Sequence, residues 1–99
     1  MKIRLLPEAE RDLEVGADFY EAQQKGLGAY FLSCLISDIE SLRTTAGVHR
    51  KFYGLHRLFS KRFPFAIYYQ FNGDWIEIIS VLDSRQAPEK IRARFNPST

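Results

Sequence analysis

Two histidines and a group of basic residues are the side chains of this sequence that could do acid–base chemistry. His49 and His56 titrate near neutral pH, so either could act as a general base on an RNA 2′-hydroxyl. RNA cleavage without a metal also needs cations beside the scissile phosphate. The candidate cations are Arg57, Lys61, Arg62 and Arg85. The alternative is that His49 is a loop residue and His56 an ordinary exposed strand residue.

Other reactive side chains fit structural roles better than catalytic ones. Cys34 lies within an apolar helical pattern, so we expect a small core residue rather than a nucleophile. The carboxylate pairs Glu8/Asp12 and Glu10/Glu14 suit the first turns of a helix. The sequence has no glycine-rich phosphate loop, no CxxC pair and no HExxH motif. We therefore expect no metal and no cofactor, and we favour a protein that is not an enzyme.

Length and charge narrow the class of protein. The 99 residues predict a single domain, 1–99, and a hydrophobic fraction of 45% allows a small core. A lone cysteine and the lack of a long apolar run predict a cytoplasmic protein. Acidic residues cluster early, at Glu8, Glu10, Asp12, Glu14, Asp18 and Glu21. Basic residues cluster late, at Arg50, Lys51, Arg57, Lys61, Arg62, Arg85, Lys90, Arg92 and Arg94. This late cluster is either a solvated surface or a surface for an acidic partner or nucleic acid.

The segment from Arg62 to Leu82 is predicted to form one long β-hairpin. Asn72-Gly73 is a strong turn signal, because both central positions of a type I′ turn need a positive φ. Aromatic and β-branched residues flank it on both sides. The predicted pairs are Phe71 with Asp74, Tyr69 with Ile76, Ile67 with Ile78, Phe65 with Ser80 and Phe63 with Leu82.

Alternation along this hairpin gives it two unlike faces. The apolar face, expected to be buried under helices, carries Phe63, Phe65, Ile67, Tyr69, Ile76, Ile78 and Leu82. The other face carries Arg62, Tyr68, Gln70, Trp75, Glu77, Ile79 and Val81. This second face is too apolar to meet only water, so it predicts a partner.

The rest of the chain supplies the elements that cover and extend the hairpin. We predict strands at Lys2–Leu6 and Leu55–Ser60, helices at Glu8–Gln24, Gly28–Leu42 and Glu89–Phe95, an irregular segment at 43–54 and a frayed tail at 96–99. Val15 and Phe19 are expected to broaden the buried stripe of the first helix. The order β-α-α-β-β-β-α predicts an α+β two-layer sandwich, with a helical hairpin packed on an antiparallel sheet.

This order, together with three stretches of sequence, resembles the RelE/ParE superfamily of bacterial toxins, and the ParE branch (plasmid stabilisation proteins) more than the RelE branch. The stretches are PEAERDLEVGADFY, FLSCLISDIESL and LHRLFSKRFPFAIYYQFNGDWIEIISVLDSRQAPEKIRAR. The resemblance covers nearly the whole chain. It implies the toxin of a type II toxin–antitoxin module, neutralised by a cognate antitoxin that wraps across the helical hairpin and the sheet. The antitoxin-binding residues expected on the mixed face are Tyr68, Trp75, Ile79 and Val81.

The superfamily contains two mechanisms, and the resemblance favours one of them here. RelE-like members cleave mRNA on the ribosome with several Lys/Arg on the meander and a Tyr or His near the C-terminus, whereas ParE-like members inhibit DNA gyrase. Phe59 and Ala66 occupy two of the basic positions, and no Tyr or His follows Arg85. We therefore predict a gyrase inhibitor with target-binding residues Arg57, Lys61, Arg62, Arg85 and Arg92. The alternatives are a ribosome-dependent endonuclease using His56 or His49 with Arg57 and Arg85, and a non-toxic relative that only binds antitoxin.

Overall fold

The computed structural model describes residues 1–96 and has the α+β two-layer architecture that the sequence predicts. The strands are β1 (Lys2–Leu5), β2 (Lys51–Phe52), β3 (Leu55–Phe59), β4 (Phe65–Asn72) and β5 (Trp75–Asp83). The helices are α1 (Pro7–Gln23), α2 (Leu27–Glu40), α3 (Leu42–Thr45) and α4 (Pro88–Phe95). Helices α1 and α2 pack together on one face of the sheet. Residues 97–99, most of the tail expected to fray, lie outside the described residues.

The sheet is mixed, with strand order β1-β5-β4-β3-β2, and not purely antiparallel as predicted. Strand β1 runs parallel to β5, with Lys2 opposite Trp75 and Leu5 opposite Ile78. Parallel pairing needs a long connection between the two strands, and here the whole helical hairpin and three strands lie between them. The segment predicted to be irregular also contains α3 and the short strand β2.

Helix α1 buries a narrower stripe than the sequence suggested. The stripe contacts the core through Ala9, Leu13, Ala17 and Tyr20. The side chains of Val15 and Phe19 are 69% and 52% exposed, so the prediction that they broaden the buried stripe is wrong. At about 100° per residue, Val15 lies about 200° around the helix from Leu13, so it falls outside the stripe that packs in the core.

The turn between α1 and α2 is held by one carboxylate. Glu21 accepts hydrogen bonds from the backbone N–H groups of Gly26 and Gly28, each at 2.9 Å. These bonds lower the pKa of Glu21. Gly26 has φ +89°, a left-handed conformation that favours glycine. A Cβ on Gly28 would lie 2.6 Å from the backbone oxygen of Ala17, so glycine permits the close approach of the two helices.

The hairpin forms as predicted, but its turn is displaced by one residue. Asn72 pairs with Trp75, which leaves Gly73 and Asp74 as the central residues. Gly73 has φ +61°, and Asn72 is not among the residues with positive φ. A positive φ at the first central position alone is the pattern of a type II′ turn. The predicted pairs, such as Phe71 with Asp74, are therefore wrong, and Phe71 instead lies opposite Ile76.

A β-bulge at Ile79 then changes which face the end of β5 presents. Near the turn the register differs from the predicted one by two residues, which leaves every side chain on its predicted face. The pairing moves from Tyr69–Ile78 to Tyr68–Ser80, so Ile79 is the extra residue. One extra residue inverts the alternation beyond it. Consequently Val81 packs in the core under the helices, and Leu82 faces the other way, the reverse of the prediction.

The outer face of the sheet has its own small core, covered by α4. Ala66, Tyr68 and Leu82 are buried there against Ile91 and Phe95 of the helix. The ring centroids of Tyr68 and Phe95 are 4.8 Å apart. Part of the apolar character that predicted a partner for this face is thus explained by the chain's own C-terminal helix.

Asp12 joins α1, β5 and α4. Strand β1 ends at Leu5, opposite Ile78, and beyond this point Asp12 accepts the Val81 N–H at 2.9 Å. The same carboxylate accepts two bonds from Arg94 of α4, each at 2.8 Å, and Arg94 also pairs with Glu8. Burial raises the pKa of Asp12, although both of its partners act to lower it.

Removing the arginine of this site should loosen α4. Arg94→Ala leaves the partly buried Asp12 carboxylate without its cation, and we expect a loss of about 1–3 kcal/mol in the free energy of unfolding. Urea denaturation measures the loss, and hydrogen exchange of the α4 amides locates it. Arg92→Ala on the same helix is the matched control, because Arg92 is exposed, and it should change stability by less than about 0.5 kcal/mol. Equal stability losses in the two variants would contradict the assignment.

Candidate functional site

The two histidines meet at a tyrosine on the helix-facing side of the sheet. Tyr69 Oη lies 2.6 Å from His49 Nδ1 and accepts the Gly47 N–H at 2.9 Å. The ring of His56 stacks on Tyr69 with centroids 5.1 Å apart. His56 Nδ1 lies 2.6 Å from the backbone oxygen of His49, and since a carbonyl only accepts, this nitrogen carries the proton.

The protonation states of His49 and Tyr69 follow from their burial. Burial lowers the pKa of His49, with a further contribution from the charge of His56. Burial also raises the pKa of the Tyr69 hydroxyl. A neutral imidazole and a protonated hydroxyl fit a bond in which Tyr69 donates to His49 Nδ1. The cluster therefore fastens the loop before β2 to the sheet, which is a structural role.

Arg57 follows His56 in the chain but lies on the opposite face of β3, since side chains alternate along a strand. Its guanidinium carbon is 3.5 Å from the ring centroid of Phe52 and 4.6 Å from that of Phe59. Arg57 Nε is buried without a hydrogen-bond partner within residues 1–96. The histidines therefore lie on the helix-facing face of the sheet, and the Arg57 guanidinium lies on the opposite face.

Arg85 is remote from the histidines as well. It follows β5, and its side chain forms two bonds with Asp83, from Nε to Oδ1 at 3.0 Å and from Nη2 to Oδ2 at 2.7 Å. These bonds lower the pKa of Asp83. Asp83 is opposite Phe65, which is four residues, or about 13 Å, along β4 from Tyr69. The structure therefore does not bring together the residues that a nuclease built from His56, Arg57 and Arg85 would need.

The remaining predicted cations are distributed over the surface. Lys61 and Arg62 are exposed in the loop after β3, and Arg92 is exposed on α4. Beside that loop, the buried carboxylate of Asp38 accepts the Ser60 hydroxyl at 2.6 Å and fixes where the loop begins. Cys34 is half-buried and packs against the core, as the sequence predicts.

Two of the four predicted antitoxin-binding residues are not accessible. Tyr68 is 1% exposed beneath α4, and Val81 is 2% exposed in the helix-facing core. The bulge explains Val81, and the docking of α4 explains Tyr68. Trp75 and Ile79 are half-buried. The guanidinium of Arg4 lies 4.3 Å from the Trp75 ring, so this indole is accessible only beside a cation.

The helical hairpin presents an apolar surface that sequence reasoning assigned to the core. Val15 and Phe19 of α1 line a groove of about 310 Å³, and its floor is formed by Gly16, Phe65 and Val81. Leu32 and Ile36 of α2 are also exposed. The signal that could have identified this surface is the width of the apolar pattern, which exceeds what one helix face can bury.

Comparison with known proteins agrees on the fold. No protein-family model matches the chain, and no curated protein matches it. A solved structure described as "Chromosomal ParDE TA system from P. aeruginosa" contains a chain that superposes with a TM-score of 0.72 at 22% identity. The alignment covers 82% of this chain and 92% of that chain. At this identity the likeness establishes a shared fold, and the fold inferred from the sequence resemblance is confirmed.

Within residues 1–96, no helix has the length and apolar character to cross a membrane. The same residues contain no group of three or more His, Cys, Asp or Glu side chains that could hold a metal ion.

The histidine cluster predicts a pH dependence of stability. Because the pKa of His49 is lowered in the folded state, the unfolded chain binds more protons, so the contribution of His49 is present above pH 6.5 and is lost as the pH falls. The free energy of unfolding should decrease between pH 7 and pH 5. His49→Gln should weaken this decrease, and urea denaturation at each pH measures it. An unchanged slope in the variant would show that His49 is not the group responsible.

Proposed function

We propose that the chain is the toxin of a type II toxin–antitoxin module, that a cognate antitoxin neutralises it, and that it acts as a ParE-like inhibitor of DNA gyrase. The shared fold supports the toxin assignment. The separation of His56 and Arg57 onto opposite faces of β3 carries the choice of gyrase over mRNA, since phosphodiester cleavage needs its base and its cations around one phosphate. Inhibition by binding has no such requirement.

The proposed target surface consists of cations. Its residues are Arg57, Lys61, Arg62, Arg85 and Arg92. Arg85 is already bonded to Asp83, so a target must share or replace that pair. Within residues 1–96 the other four form no ion pair, and their charges are free to steer an acidic partner toward the sheet.

The proposed antitoxin surface includes the groove on α1. Val15 and Phe19 form its exposed apolar rim, and covering them would remove apolar surface from water. Trp75 and Ile79 remain as contacts on the sheet. Tyr68 is excluded from direct contact while α4 holds its observed position, and Val81 contributes only as part of the buried floor of the groove.

A charge in the groove should weaken antitoxin binding. Val15→Glu places a carboxylate among apolar contacts, and we expect a 10- to 100-fold loss of affinity, about 1.4–2.8 kcal/mol. The matched control is Val48→Glu, since Val48 is 78% exposed and is not among the residues lining the groove. Titration of the purified toxin variants with antitoxin measures both. Equal affinities would remove the groove from the proposed interface.

Toxicity should depend on Arg57 and Arg85 but not on His56. Arg57→Ala and Arg85→Ala should slow the arrest of growth after induction without antitoxin, while antitoxin binding is retained. His56→Asn keeps a donor near the His49 carbonyl but removes the base, and it should remain fully toxic. Growth curves, plasmid supercoiling and transcript integrity are followed together.

The same measurements separate the proposal from its alternatives. Reduced supercoiling with intact transcripts supports gyrase inhibition. Cleaved transcripts together with loss of protein synthesis would identify an endonuclease. Induction without any effect on growth would identify a relative that only binds antitoxin. Full toxicity of both arginine variants would show that the target surface lies elsewhere.

A further inference from the structure

One continuous part of the chain carries cations and no acid. From residue 41 to residue 73 there is no Asp or Glu. The same stretch has six basic residues, Arg43, Arg50, Lys51, Arg57, Lys61 and Arg62. It contains β2, β3 and β4, which are three neighbouring strands of the sheet and include its edge strand β2. Among these six, only Arg43 forms an ion pair within residues 1–96. The other five charges are therefore available to an acidic partner.

Arg57, on β3 within this basic stretch, packs against aromatic rings. Its guanidinium contacts the rings of both Phe52 and Phe59, and the guanidinium of Arg50 lies 5.0 Å from the centroid of the Phe52 ring. The rings restrict the plane of the Arg57 fork before any ligand arrives, so binding loses less side-chain entropy. Within residues 1–96 no carboxylate pairs with Arg57. A planar carboxylate fits this fork in the bidentate geometry that arginine favours.

The backbone beside Arg57 offers an open strand edge. Strand β2 pairs only with Leu55 and His56, and the Arg57 N–H then donates to Arg50 O at 3.0 Å. Strand β3 continues to Phe59, and the Ser60 N–H points back to Phe65 O. Because successive backbone N–H and C=O groups point to alternate sides of a strand, those of Phe59 point away from β4. No strand of the described residues pairs with β3 at this position. An extended peptide can add to such an edge.

The aromatic contacts favour a peptide over a nucleic acid. Single-stranded nucleic acid binds to basic surfaces through bases that stack on free aromatic rings. Arg50 and Arg57 both stack against Phe52, and Arg57 also occupies part of Phe59. Ring surface is thus already used by cations, whereas no strand of residues 1–96 covers the backbone edge at Phe59.

We infer that the open edge of β3 binds an extended acidic segment of a partner protein, which pairs with the backbone at Phe59 and sets a carboxylate on Arg57. Carboxylates at alternate positions of the added strand would lie on one face, toward Arg57. This inference deepens the proposed function and rests on it only for the partner's identity, which is the target of the toxin, since the antitoxin is assigned to the groove on α1.

A designed peptide tests the inference on the purified chain. The probe is a fluorescein-labelled nine-residue peptide that alternates Val and Glu, and binding is followed by anisotropy. The comparison probes are the Val/Lys counterpart, the Val/Glu peptide N-methylated at alternate residues, and a ten-nucleotide oligo(dT). We expect the Val/Glu peptide to bind and the other three to bind at least 10-fold more weakly.

Protein variants assign the binding to Arg57. Arg57→Ala and Arg57→Lys should each weaken the Val/Glu peptide at least 10-fold, since lysine lacks the planar fork. Lys25→Ala, in the α1–α2 turn, removes a distant charge and should leave affinity unchanged. Circular dichroism confirms that each variant is folded.

Several results would overturn the inference. Unchanged affinity in Arg57→Ala, undiminished binding of the N-methylated peptide, or tighter binding of oligo(dT) would each do so. Failure of the proposed function is seen separately, because peptide binding is measured without cells. A chain that binds the peptide and does not arrest growth would contradict the toxin assignment alone.

Discussion

The contact on which the layers of this protein depend is the carboxylate of Asp12. The carboxylate accepts the Val81 N–H of β5, just beyond the residues of β5 that pair with β1. It also binds the guanidinium of Arg94 on α4. A partly buried carboxylate is costly unless its lone pairs are filled, and here a backbone donor and a cation fill them together. Because this one side chain connects α1, β5 and α4, loss of its contact with either partner would weaken the packing of these three elements.

The bulge at Ile79 and the docking of α4 together decide which surfaces remain for partners. Inverting the end of β5 places Val81 under the helices and turns Leu82 outward. Helix α4 then covers Leu82 and Tyr68, which closes the apolar centre of the outer face. Among the described residues, the accessible surfaces include an apolar groove on α1 and a group of cations at β2 and β3. These two surfaces differ in chemistry, so they suit different partners.

The distribution of polar groups supports the binding role that we propose for this chain over catalysis. The histidines are used to fasten a loop to Tyr69, and Arg85 is bonded to its neighbour Asp83. Arg57 stands on the other face, held by phenyl rings and without an anion within the described residues. A cation that is oriented but unpaired is prepared for recognition, whereas an acid–base reaction needs several groups around one point.

The local chemistry of the sequence by itself determined the order of the major elements, the two-layer class and the inner face of β4, because periodicity and turn residues act over short distances. It also indicated the basic positions, and it has no Tyr or His after Arg85. Only the tertiary structure decided the parallel pairing of β1, the bulge at Ile79, the exposure of Val15 and the burial of Tyr68 and Val81. Each of these depends on a contact between residues far apart in the chain. The Val81 N–H finds Asp12, Tyr68 is covered by Phe95, and no local pattern encodes such pairings.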